Sequence, residues 1–378
     1  MKILFVMNSF MTPSGAEHVL ADFLKSADEV EPFFLHIGHR RPDLIRLHEI
    51  ADDDHFYYVH CSKLLISPYS RQWFMKLFRK IVCHRLKEEK VVASLRKDSS
   101  IDLVYFNNSF EAAVFFPLFQ DRKTLIHIHD MVEMFRPAQK KCVLKACQNG
   151  NCILTPSKAC KEMLVRNGIS ESKISVAYNS IDLPARPFRW ISNNSISVGF
   201  VGSCIKRKGF DTYISILNGL DERIGEKKQI KAVIITNSNP KNTFIEKNIR
   251  RLNKSIAVEL YSGLSRENVF QKYREMDFLL VPSRFDPLPT IVLEATLCGL
   301  SVFGSNTDGI PEMLCDKRLL FAKDDIDDAV GKITNWLSTH FDEKLSVIKK
   351  VQDHIEKTFT KENKQDCVLR TIRKALEN

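Results

Sequence analysis

Residues 282–312 read PSRFDPLPTIVLEATLCGLSVFGSNTDGIPE. Prolines bracket a turn here, and the apolar run Ile291, Val292, Leu293 follows it directly, so a loop passes into the first turn of a helix at Thr290. A helix start presents unpaired N–H groups and partial positive charge, which stabilise an anion and above all a phosphate. Glu294, one turn further on, offers a carboxylate to sugar hydroxyls, and Asp286 stands ahead of it with seven residues between. An anion seat beside hydroxyl acceptors suits a nucleotide sugar.

Residues 198–217, VGFVGSCIKRKGFDTYISIL, carry a second such unit. The apolar strand from Ile196 to Phe200 runs into glycines and a basic cluster, then into a helix with Tyr213, Ile216 and Leu217 at core spacing. Gly202 permits a tight turn, and Arg207 and Lys208 then reach two oxygens of one diphosphate. On its own, such a cluster is more often a solvated loop.

The N-terminal half repeats the alternation. MKILFVMNSF reads as a first strand, and residues 12–17 turn through Gly15 into a helix with Val19, Leu20 and Phe23 inward. Residues 125–130, LIHIHD, form a strand ending in a polar turn. His127 and His129 share a face there, with His129 nearer the end where open αβ sheets bind ligands and His127 reading as core. Strands ending at Pro156 and Tyr178 follow. Strands alternating with helices predict an α/β protein with parallel sheets, and 378 residues suffice for two domains of about 180. The polar, proline-bearing stretch 184–194 marks the break, giving domains at 1–188 and 195–360 and an amphipathic last helix at 361–378 with Val368, Leu369, Ile372 and Leu376 on one side.

Together these segments resemble the retaining glycosyltransferases of the family 4 type. Their Glu, seven residues, Glu pattern precedes a small-residue stretch and a Gly-Gly-Ile-Pro-Glu-like turn, which here become Asp286, Glu294 and Asp308-Gly309-Ile310-Pro311-Glu312. Residues 198–209 resemble the signature opening the second domain, with Ser203 where many members carry Arg. Arg207 beside Lys208 matches a subgroup typified by lipopolysaccharide core glucosyltransferases. Gly15 falls in the family's Gly-Gly-Ala-Glu loop, with Ser14 at its first glycine. The resemblance implies the GT-B fold, two Rossmann-like domains facing each other across a cleft, with the last helix crossing back to the first. It implies that Glu294 holds the donor ribose, Asp286 and His129 meet the donor sugar, Gly15, Gly202 and Ser203 line the donor, and Arg207, Lys208, Thr290 and Ile291 stabilise its diphosphate. It further implies transfer with retention from a UDP- or GDP-linked sugar to a glycan or lipid-linked acceptor of cell-surface polysaccharide. Two other readings stay open: a non-catalytic partner subunit, and a nucleotide-sugar epimerase on the same fold.

Charge and cysteines narrow the setting. Net charge is +10, and residues 63–90 hold eight Lys or Arg against two Glu. Arg71, Trp73, Phe74, Arg79 and Lys80 fall in a basic, aromatic, helical pattern suited either to anionic lipid or to packing with a solvated basic face. No nucleic-acid-binding signature accompanies the charge. Ten scattered cysteines without a Cys-x-x-Cys, and no secretory signal, fit a reducing cytoplasm, with peripheral contact at the inner face of the plasma membrane as the expectation. Asp52 to Asp54 has Asp-x-Asp spacing but precedes a strand, and Asp325 and Asp327 sit at a helix start. Both read as caps, so no metal and no other cofactor is expected, the cations doing a metal's work.

Overall fold

The computed structural model describes residues 1–7, 15–38, 52–60, 86–87, 89–181, 183–188 and 194–377, without the side chains of 15–19 and 53. It divides into two compact units, 1–179 with 361–378, and 180–360. Arg71, Trp73, Phe74, Arg79 and Lys80 lie outside the described residues.

The first unit is built on seven strands: β1 (Lys2–Met7), β2 (Glu31–Gly38), β3 (Phe56–His60), β4 (Leu103–Phe106), β5 (Thr124–His127), β6 (Cys152–Thr155) and β7 (Ile174–Val176). They lie in the order β3-β2-β1-β4-β5-β6-β7, and every pair is parallel. Ile3, Leu4, Phe5 and Val6 are all fully buried, as a strand covered on both faces requires. Phe56, Tyr57 and Tyr58 of edge strand β3 are only half-buried. The order reverses between β1 and β4, so the carboxyl ends of these strands open the crevice where αβ sheets take ligands.

The last helix, Lys361–Glu377, belongs to this unit despite the intervening second one. Its buried stripe of Val368, Leu369, Ile372 and Ala375 packs with Ile3, Phe5, Leu125 and Leu154. Lys364, one turn earlier on that stripe, is buried too, toward His127 and His129. Burial, with the charge of Lys361, brings its ammonium down to about 8, against the opposing pull of Asp22.

The second unit has six strands: β8 (Ser195–Val201), β9 (Gln229–Thr236), β10 (Ala257–Ser262), β11 (Phe278–Val281), β12 (Ser301–Ser305) and β13 (Leu320–Phe321). Their order is β10-β9-β8-β11-β12-β13, again parallel throughout, with the reversal between β8 and β11. The division falls at Asn179 and Ser180, earlier than the compositional break at 184–194. Hydrogen bonds explain it: the Arg186 N–H donates to Leu297 O at 2.8 Å, and Gln352 Nε2 donates to Arg186 O at 2.8 Å. Those proline-flanked residues are thereby part of the second unit, which composition alone does not reveal.

Candidate functional site

The loops after β8 and β11 flank the reversal point of the second sheet. Beyond β8 the chain turns at Gly202, whose φ of 129° is open to glycine and whose N–H donates to Ile235 O at 2.9 Å. Ser203 beside it is exposed. A short 3-10 turn, Lys206–Lys208, then ends at Gly209 in the left-handed region, φ 70°. A Cβ there would come within 1.8 Å of Pro282 O, so glycine lets this turn lie directly against the β11 loop.

That close approach brings the basic turn and Asp286 together. Lys208 Nζ donates to Asp286 Oδ2 at 2.6 Å, and Ser283 Oγ donates to the same oxygen at 3.1 Å. Arg207 Nη1 donates to Phe285 O at 3.1 Å and makes no carboxylate contact among the described residues. Asp286 is buried at 4% exposure, whereas Lys208 is half-buried. A paired ammonium, an uncompensated guanidinium and a carboxylate thus converge at the sheet's carboxyl edge, a combination able to take an anion and a hydroxyl-bearing group side by side.

The turn after β12 completes the support. Asp308 Oδ2 accepts the Asp286 N–H at 2.7 Å, and Gly309 N–H donates to Asp286 O at 3.3 Å. Asp308 adopts φ 49°, and a Cβ at Gly309 would meet Pro287 O at 1.9 Å. Burial pushes the Asp308 carboxyl up, the Asp286 N–H opposing it. The Asp-Gly-Ile-Pro-Glu stretch therefore acts as a buttress for the loop of Asp286.

The same loop ends in the helix Thr290–Leu297, starting at the expected residue. Its N-cap is Pro289, with no side-chain cap, which leaves the first turn at Thr290 and Ile291 without a competing acceptor from a capping side chain. Glu294 is the single charged residue in TIVLEATL, so an otherwise apolar helix carries its carboxylate into a half-buried place. Burial pushes that carboxyl up; Tyr273, donating to Oε2 at 3.3 Å, and Arg266, 3.5 Å from Oε1, oppose the shift. The carboxylate that the sequence presents as free is thus already held by two partners. Tyr273, Arg266, Ser283 and Arg284 escape a reading of the sequence, because their relation to the acids is purely tertiary.

In the first unit, Gly15 opens the helix Gly15–Leu24 after β1. His129 stands just past β5, half-buried, its ring 3.8 Å from that of His127. His127 Nδ1 is 2.8 Å from the Tyr105 hydroxyl, and Nε2 of each histidine is buried without a hydrogen-bond partner. Burial, with Lys364 adding to it, pushes His129 down to about 3; burial, His129 and Lys364 push His127 well below the ordinary imidazole range. Both rings are neutral at physiological pH, and neutral His129 can exchange hydrogen bonds with a sugar hydroxyl without bringing charge. Among the described residues no three His, Cys, Asp or Glu form a metal-holding group, and no helix is long and apolar enough to cross a membrane.

Comparison with known proteins agrees with this layout. Residues 186–369 match the family described as glycosyl transferases group 1, and residues 68–184 match glycosyltransferase family 4. A 41.2 kDa protein of the cps region of Klebsiella pneumoniae is 22% identical over 248 residues, covering 60% of this chain and 66% of that one. The gpi3 subunit of the phosphatidylinositol N-acetylglucosaminyltransferase of Schizosaccharomyces pombe is 22% identical over 199 residues, covering 52% and 42%. The chain thus spans less than two thirds of either relative's length. HepE of Anabaena, solved in complex with UDP, superposes with a TM-score of 0.73 at 16% identity over 99% of this chain and 100% of that one. The lipopolysaccharide outer core galactosyltransferase WaaB does so at 0.70 and 16%, over 99% of each. Two parallel αβ units, and family matches that meet end to end near residue 185, agree with one assignment. The chain belongs to the family 4 type of glycosyltransferases, on the GT-B fold.

Proposed function

We propose that this protein transfers a sugar, with retention of anomeric configuration, from a UDP- or GDP-linked donor to a glycan or lipid-linked acceptor in the assembly of cell-surface polysaccharide. The observation that carries the reading is the Lys208–Asp286 pair at 2.6 Å, with Arg207 beside it, at the reversal point of the second sheet. Arg207, Lys208 and the helix start at Thr290 and Ile291 take the diphosphate and stabilise the charge that develops as it leaves. Glu294 accepts from the ribose, Asp286 positions the sugar, and His129 contacts it. Ser203 and Gly202 leave the approach to the diphosphate open. In this reading the leaving phosphate helps deprotonate the acceptor on the same face, and no divalent metal takes part.

Relatives support the substrate classes. HepE is solved with UDP and with UDP-glucose, one relative is a protein of a cps region, and the relatives that are phosphatidylinositol N-acetylglucosaminyltransferase subunits support a lipid-linked acceptor. A lipid acceptor would place the protein in the cytoplasm at the membrane's inner face, with the basic 71–80 segment as the contact. Incubation of the purified chain with a panel of nucleotide sugars, with EDTA and with added Mn²⁺, tests the whole reading. Donor turnover unaffected by EDTA is expected; turnover abolished by EDTA and restored by Mn²⁺ would revive the Asp-x-Asp reading of residues 52–54. Donor turnover without acceptor and without release of free sugar would indicate an epimerase.

A further inference from the structure

We infer that Arg284 is a positioning residue that sets the diphosphate seat by clamping the Lys206–Lys208 turn onto the loop of Asp286; this deepens the donor-site reading above and rests on it. Arginine has five N–H donors in a planar fork. In Arg284 each has an acceptor inside the protein. Nη1 donates to Asp211 Oδ1 at 2.7 Å and to Lys206 O, Nη2 to Asp211 Oδ2 at 3.2 Å and to Thr212 Oγ1 at 2.9 Å, and Nε to Asp324 Oδ2 at 3.0 Å. No donor remains for a phosphate, so this cation, two residues before Asp286, holds protein instead of ligand.

What it holds is specific. Lys206 begins the basic turn, and Asp211 and Thr212 begin the helix Phe210–Ile224 that follows it. Two further bonds run parallel to the clamp: the main-chain Arg284 N–H donates to Arg207 O at 2.9 Å, and the Arg207 side chain donates through Nη1 to Phe285 O. Asp324 reaches Arg284 from a left-handed conformation, φ 60°, and also accepts from Thr212 Oγ1 at 3.1 Å. Despite burial pulling the other way, the Arg284 hydrogen bonds keep the Asp211 carboxyl below its ordinary range. With Arg284 paired to Asp211 and Asp324, and Lys208 to Asp286, Lys206 and Arg207 are the cations of the turn that keep no carboxylate partner among the described residues.

The fork geometry matters, because a lysine has three donors on one atom and cannot span Asp211, Lys206 and Asp324 at once. The test compares the full-length wild-type chain with Arg284→Lys by calorimetry with UDP and GDP, and by ligand-detected NMR with uridine and guanosine, alongside melting midpoints. A charge-assisted fork lost in this way should weaken nucleoside diphosphate binding by about tenfold or more, leave nucleoside binding unchanged, and add little when built into the Arg207→Ala, Lys208→Ala chain. Asp324→Asn, which spares the Asp211 fork, should show the same diphosphate-selective loss in smaller degree and serves if Arg284→Lys fails to fold. Wild-type diphosphate affinity in the folded variant, equal losses for nucleoside and diphosphate, or full additivity with the double variant would overturn the clamp. A wild-type chain that binds neither UDP nor GDP would instead remove the donor-site reading on which it rests.

Discussion

Lys208 and Asp286 belong in sequence to different tasks, diphosphate and sugar, yet they touch at 2.6 Å. Each therefore supports the other: the carboxylate orients the ammonium, and the ammonium compensates a carboxylate at 4% exposure. Removing either cation should cost donor binding roughly 1.5–3 kcal/mol, the worth of a charge-assisted hydrogen bond to phosphate. Calorimetry on Arg207→Ala and Lys208→Ala measures this, and unchanged affinity in both would take them out of the site. Glu294→Gln should weaken nucleotide binding whichever sugar is attached, whereas Asp286→Asn should depend on the sugar. Identical effects across a donor panel would undo that division of roles. The acids themselves are legible because their spacing along the chain survives folding; their partners Tyr273, Arg266 and Ser283 are not, since nothing in local spacing links Tyr273 to Glu294.

At the scale of elements, the site depends on loops pressed into contact. Gly209 and Gly309 each sit where a Cβ would overlap a carbonyl oxygen of the β11 loop. Gly209→Ala is expected to be the more damaging substitution, because it adds left-handed strain to the overlap with Pro282. Its stability loss should exceed about 1 kcal/mol, read as a lower melting midpoint, with a larger proportional loss of diphosphate affinity. Alanine tolerated there with neither change would mean that the basic turn does not depend on its approach to Pro282. The Thr290–Leu297 helix behaves differently. Its start is readable from the prolines, but its buried environment is not, and it is that environment that pushes the Glu294 carboxyl up.

At the scale of the whole molecule, the first unit carries a neutral histidine pair, His127 buried and His129 half-buried. Unfolded, these rings bind protons near pH 6.5; folded, burial and Lys364 hold His129 down to about 3 and His127 well below its ordinary range. The unfolded state thus binds more protons below pH 6.5, so stability is fully present above that value and falls as pH drops from about 6.5 toward 3. Denaturant titrations at pH 7.5 and 5 should show the loss, and His129→Gln should reduce it while the share of His127 persists; a flat profile in the wild type would show that the rings ionise without cost. If the 71–80 segment meets anionic lipid, replacing Arg79 and Lys80 by Gln should reduce vesicle co-sedimentation at low salt, by about 1 kcal/mol per charge, while donor hydrolysis persists. Chain order alone determined much of this protein: alternating strand and helix patterns led to parallel αβ units, and motif spacing led to Arg207, Lys208, Asp286 and Glu294, because backbone periodicity and short-range turns are local properties. Tertiary structure decided that the last helix completes the first core, that the second unit begins near Ser180, and that every donor of Arg284 finds an acceptor inside the protein. Those outcomes depend on which distant donors and acceptors meet when the strands take their places, and no local pattern records that.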